Sequence, residues 1–235
     1  MSGCASATPR PPSERLPATR RAVALAQTFS LGGGERTLLV GHSLGAMSIL
    51  AWAGQHPDAV ATRAAGAALV NTGFGDLVSE SLVFRAPSAL GRARAAIGAV
   101  ALGASAPLPP ASPITYRAVR HVALSPAATP AQVAFCQELV LGCRRDVRAG
   151  CGRELTRLDL TDALEHLTVP TAVVAGEDDK LTPPSHAERL ARLLPDSAGV
   201  VKLERVGHMA PVEAHRQVNA TIRGLADRVL RLAPR

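Results

Sequence analysis

A chain of 235 residues with 47% hydrophobic side chains is long enough for one sizeable core and too apolar to be a disordered protein. Its formal net charge of +7 comes from 26 basic residues against 19 acidic ones, and only Lys180 and Lys202 of the basic set are lysine. The arginines are scattered and no stretch interleaves them with aromatics, which excludes a concentrated basic face, so no nucleic-acid partner is expected.

Residues 1–12 are small and Pro-rich and read as a loose tail. They lack the apolar centre of a signal peptide, and no apolar run reaches the length of a membrane span, so a soluble cytoplasmic protein is expected. Residues 13–31 carry a helical pattern with Pro17 near its start, and Gly32, Gly33 and Gly34 stop it. A strand is predicted over 36–40. It runs into Gly41-His42-Ser43-Leu44-Gly45, and an apolar helix follows to about Gly54, where His56-Pro57 ends it. A second strand is predicted over 64–70, closed by Asn71-Thr72-Gly73.

From Phe74 to about Glu165 strand alternation is absent, and the segment reads as a helical insertion with a clear helix over 131–141. Strand signals return over 171–175, followed by Gly176-Glu177-Asp178-Asp179, and a helix is predicted over 184–194. The last strand is predicted over 200–206, followed by Gly207-His208 and an amphipathic helix over 212–232. Strands alternating with helices imply an α/β fold with a mostly parallel sheet flanked by helices. The four cysteines, Cys4, Cys136, Cys143 and Cys151, match no zinc spacing and read as reduced thiols.

Three of the predicted strand ends carry chemistry. Gly-x-Ser-x-Gly between a strand and a helix is the pattern of a nucleophile elbow. There the glycines permit a sharp turn that exposes the Ser43 hydroxyl and aims N–H groups at the helix start. As a short pattern it depends on its context. A serine hydroxyl needs a neighbouring base, usually His, and a carboxylate to orient that base. His208 after the last strand can be the base. Asp179 or its neighbour Asp178, after the third strand, can be the carboxylate, and the Gly-x-x-Asp spacing favours Asp179.

Gly-His-Ser-Leu-Gly-Ala-Met, Gly176-Glu177-Asp178-Asp179-Lys180-Leu181-Thr182-Pro183 and Gly207-His208-Met209-Ala210-Pro211 together resemble the α/β-hydrolase fold family, in the family's order of Ser, Asp, His. The resemblance implies a serine hydrolase of esterase or lipase type. In it Ser43 is the nucleophile, His208 the base, Asp179 the acid, and the backbone N–H of Leu44 an oxyanion donor. It further implies a core of residues 1–73 and 166–235, a helical cap at 74–165, a small-molecule acyl or ester substrate, and neither metal nor cofactor. A serine at the elbow argues against the Asp-nucleophile chemistry of dehalogenases and epoxide hydrolases. His42, Phe74, Leu77, Phe135 and Met209 are candidates for the substrate pocket, with Phe84 and Leu90 as further wall residues. His121, His166, His186 and His215 sit in helical or exposed contexts and read as structural. Glu213 reads as support for the start of the last helix.

The chain departs from the family before the elbow. About 35 residues precede it, where four strands and their connections need roughly 70 or more. Strands 1–4 are therefore expected to be missing, together with the usual second oxyanion donor. The elbow strand would then be an exposed edge open to self-association. A truncated or degenerate, non-catalytic remnant is the alternative reading.

Overall fold

Thr37–His42 (β1), Ala64–Val70 (β2), Thr171–Gly176 (β3) and Ser197–Leu203 (β4) pair in parallel as one sheet, in the order β1-β2-β3-β4. The computed structural model describes residues 36–84 and 105–230. The helix expected at 13–31, the glycines at 32–34, Cys4, Leu90 and the side chain of Phe84 lie outside the described residues.

Parallel neighbours require crossover connections, and helices supply them. Leu44–Gln55 (α1) and Pro57–Arg63 (α2) join β1 to β2. Leu77–Glu80 (α3), Pro113–Ala123 (α4), Pro130–Gly142 (α5) and Arg145–Leu155 (α6) lie between β2 and β3, where no strand occurs among the described residues. Pro184–Leu193 (α7) joins β3 to β4. Ala210–Glu213 (α8) and His215–Leu230 (α9) follow β4.

Every residue of β2 and β3 is buried, as expected for strands covered on both faces. Alternate side chains divide between two cores. Leu39, Leu69 and Val173 pack with Leu50 and Trp52 of α1 and Leu190 of α7. Val70, Val174 and Leu203 pack on the other face with Val218 of α9, and Leu225 of α9 covers Ala68 and Ala172. Leu50, Trp52 and Leu69 are fully buried, and each such side chain contributes about 1.5–3 kcal/mol. Among the described residues β1 and β4 are the outer strands, and Val40 on β1 is half exposed. No helix among the described residues is long and apolar enough to cross a membrane. Cys136, Cys143 and Cys151 are free thiols.

Two boundaries differ from expectation. β4 starts and ends three residues early, at Ser197 and Leu203. Pairing with β3 draws Ser197 into the sheet opposite Thr171, and Arg205, at φ 58°, turns the chain before Val206. The last helix is two helices, because Ala214 leaves helical geometry at φ −135° and ψ 40° between α8 and α9.

Candidate active site

Ser43 occupies the junction of β1 and α1 at φ 51° and ψ −120°, a conformation costly for a residue with a Cβ. Its backbone is held from both sides. Its N–H donates to Val70 O at 2.9 Å, and its carbonyl accepts from Ala46 N, Met47 N and Thr72 Oγ1 at 3.0–3.1 Å. A Cβ at Gly41 would lie 2.5 Å from the Ala46 backbone, so only glycine lets α1 turn back this closely over β1. The N–H groups of Leu44 and Gly45 open α1. N–H groups at the very start of a helix have no carbonyl one turn earlier to bond, and together they form its positive end.

The ends of β3 and β4 bring the other two side chains to this point. Ser43 Oγ lies 2.9 Å from His208 Nε2, and His208 Nδ1 lies 2.9 Å from Asp179 Oδ2. With Nδ1–H donating to the carboxylate, Nε2 is the basic nitrogen and accepts from the hydroxyl. Asp179 is fully buried and His208 nearly so. Asp178, the alternative carboxylate, is partly exposed, and no hydrogen bond among the described residues links its carboxylate to His208.

Sequence reasoning missed the groups that fix these three. Asn71 is buried at the end of β2 with φ 45°, and its Nδ2 donates to Asp179 Oδ2 at 2.9 Å and to Gly207 O at 3.1 Å. Thr182 donates from Oγ1 to Asp179 Oδ2 at 2.8 Å and from its backbone N–H to Oδ1 at 3.0 Å, where Leu181 N also donates at 2.9 Å. Glu213 stands in the first turn of the short α8, and its carboxylate reaches beyond that helix. Its carboxylate accepts from Gly207 N and Ser125 N at 3.1 and 2.8 Å, tying the His208 loop to the chain after α4. His208 N donates in turn to Ala123 O at 3.0 Å. The only local signal for Asn71 was a polar residue closing an apolar strand.

Burial by itself would raise the Asp179 carboxyl. The hydrogen bond and charge of His208 and the donors of Thr182 and Asn71 outweigh it and hold the group below the usual carboxylate range. The result is a buried acceptor that keeps its charge beside the imidazole.

Two further histidines flank the site. His42 donates from Nε2 to His208 O at 2.8 Å, with ring centroids 5.1 Å apart, so it braces the backbone of that loop. His186, read from sequence as an ordinary helical histidine, is completely buried behind Gly73. Its Nε2 is 3.1 Å from Glu80 Oε2, and Arg189 makes a two-pronged ion pair with the same carboxylate. Burial pushes both histidines below their ordinary value. The neighbouring His208 adds to this for His42, and the Arg189 charge adds to it for His186. A folded-state pKa below the unfolded one means the unfolded chain takes up protons first. Their contribution to stability is therefore complete above about pH 6.5 and is lost as pH falls through that value toward the lower folded one. The urea midpoint is expected to drop between pH 7.5 and 5.5, and less steeply in His186→Gln. An unchanged slope in that variant contradicts the assignment.

Of the expected pocket residues, Leu77 lines the cavity at Ser43, together with Met47, Val78, Ser81, Leu155, Leu181, Thr182 and His208. The other four do not. Phe74 is buried in the core and lines a neighbouring cavity, with Arg189 5.4 Å over its ring. Phe135 is 49% exposed, because α5 turns Val133 and Cys136 inward instead. Met209 packs on that α4–α5 cluster, and His42 holds backbone.

The model of a family described as the alpha/beta hydrolase family matches residues 2–221. The fold is similar to that of a thermophilic esterase from Thermogutta terrifontis, at 23% identity and TM-score 0.64, over 87% of this chain and 69% of that one. A hydrolase from Pseudomonas aeruginosa PA01 is similar at 21% identity and TM-score 0.64, over 94% of this chain and 75% of that one. A bromoperoxidase from Bacillus anthracis is similar at 13% identity and TM-score 0.64, over 88% and 72%. A search of curated proteins by sequence found no match.

Proposed function

The chain belongs to the alpha/beta hydrolase family, and from that premise we propose that it is a serine hydrolase cleaving a carboxylic ester or related acyl substrate through an acyl-enzyme. The observation that carries this reading is the continuous line of hydrogen bonds from Ser43 Oγ through both His208 nitrogens to Asp179 Oδ2.

The chemistry follows from that line. Ser43 Oγ attacks the substrate carbonyl as its proton passes to His208 Nε2. The charge of Asp179 stabilises the imidazolium and keeps Nδ1 protonated. The carbonyl oxygen becomes an anion facing the start of α1, where the Leu44 N–H donates to it. His208 then gives its proton to the leaving oxygen, the C–O bond breaks, and the acyl group stays on Ser43. A water activated by the same imidazole releases the acid and restores the hydroxyl. Helices α4–α6, within residues 74–165, act as the cap that limits access to this point.

A fluorophosphonate probe, which phosphonylates activated serines, tests the reading. The expected result is one label per chain on the peptide carrying Ser43, with loss of p-nitrophenyl acetate hydrolysis in step with labelling. A label on another serine, or none on folded protein, contradicts it.

A further inference from the structure

The cavity at Ser43 is small, about 150 Å³, and its lining is mostly apolar. An apolar cavity of about that size accommodates a benzene-sized guest, on the order of six carbons. The acyl group stays bonded to Ser43 Oγ until deacylation, so its chain must lie where Ser43 and Met47 open onto this space. Met47 is buried in the first turns of α1 and forms a fixed wall.

A second cavity of about 500 Å³ lies directly beyond it. Leu77 and Val78 of α3 and Leu155 at the end of α6 line both spaces, so these three side chains are the partition between them. The far side is polar, with Asp76, Arg157, Asp159 and Arg189 among its lining residues. A chain too long for the first cavity must either displace the partition or stay outside.

Building on the hydrolase reading, we propose that the Leu77–Val78–Leu155 partition sets the acyl-chain length. The enzyme takes short acyl groups of up to about six carbons, and Leu155 is the side chain that turns longer ones away. Leu155 is only half buried at a helix end, so trimming it opens the second cavity without emptying the core.

The test is a series of p-nitrophenyl esters from acetate to dodecanoate, which varies the acyl chain with one leaving group. In the wild type, kcat/KM is expected to peak at butanoate or hexanoate and fall at least about tenfold by decanoate, the scale of misfit in an apolar pocket. Leu155→Ala is expected to raise the ratio of decanoate to butanoate turnover by about tenfold, and Val78→Ala to act from the other side of the wall in the same direction. Ile114→Ala, in the separate groove that Leu108 and Val122 also line, should leave the ratio unchanged. Equal wild-type turnover of decanoate and butanoate overturns the proposal, as does extension by Ile114→Ala alone. It is also overturned if the ratio is unmoved in both partition variants while their thermal melts match the wild type. In each of these cases Ser43 is still labelled by the fluorophosphonate and the hydrolase reading stands. Failure to hydrolyse any ester, with no labelling, overturns both, and the fault then lies with that reading.

Discussion

Ser43→Ala is expected to lower ester hydrolysis by roughly 10⁵- to 10⁶-fold in kcat, the loss typical when a nucleophile acting in concert with its base is removed. The proposed reaction has no other oxygen in position. His208 Nε2 points at Ser43 Oγ at 2.9 Å, and the neighbouring hydroxyl of Thr182 is already committed to Asp179. Stability should change little or rise, because alanine at φ 51° carries the same Cβ strain and loses only a hydroxyl. Steady-state hydrolysis of p-nitrophenyl acetate beside a thermal melt separates the two effects. Retention of more than about a hundredth of the activity in a folded variant rejects Ser43 as the nucleophile.

Asp179→Asn is expected to cost about 10⁴-fold in kcat through the wrong imidazole tautomer, without moving a backbone atom. The neighbours decide how the new amide sits. Oδ1 accepts from two backbone N–H groups, those of Leu181 and Thr182, so the amide oxygen must stay there. The amide nitrogen then takes the place of Oδ2, facing Asn71 Nδ2 and His208 Nδ1. It donates to Nδ1, which forces the proton onto Nε2, and a protonated Nε2 cannot accept from Ser43. The donor-against-donor contact with Asn71 adds a loss of stability on the order of 1–3 kcal/mol. Rate and denaturant measurements on the same preparation check both. A variant with near-normal kcat places the orienting charge elsewhere.

The parts of this site that were legible in the sequence are those fixed by local geometry. Ser43, Asp179 and His208 each follow a strand and lie within three residues of a glycine, and that turn chemistry is written within five residues. The alternation of strands and helices gave the parallel sheet for the same reason. Asn71 and Glu213 were not legible as site residues because their partners lie far along the chain, and Thr182, three residues from Asp179, was missed because nothing in the local pattern shows its hydroxyl turning back to that carboxylate. Asn71 meets Asp179 across 108 positions, and Glu213 meets Ser125 across 88. Helix facing was equally hidden. In α5 Val133, Phe135, Leu139, Val140 and Leu141 encircle the axis, so the pattern could not tell which side turns inward, and Phe135 went outward. At β4 the pairing with β3 overrode the weak strand preference of Ser197, Ala198 and Gly199.

The loop bearing the imidazole is fastened at two points to the chain at the end of α4. His208 N reaches Ala123 O, and the Glu213 carboxylate joins Gly207 N to Ser125 N. An outward displacement of α4 would therefore stretch these bonds and load the loop that sets the line of the imidazole to the hydroxyl. The alignment on which the proposed proton transfer depends is thus anchored in part outside the sheet, in the chain between β2 and β3.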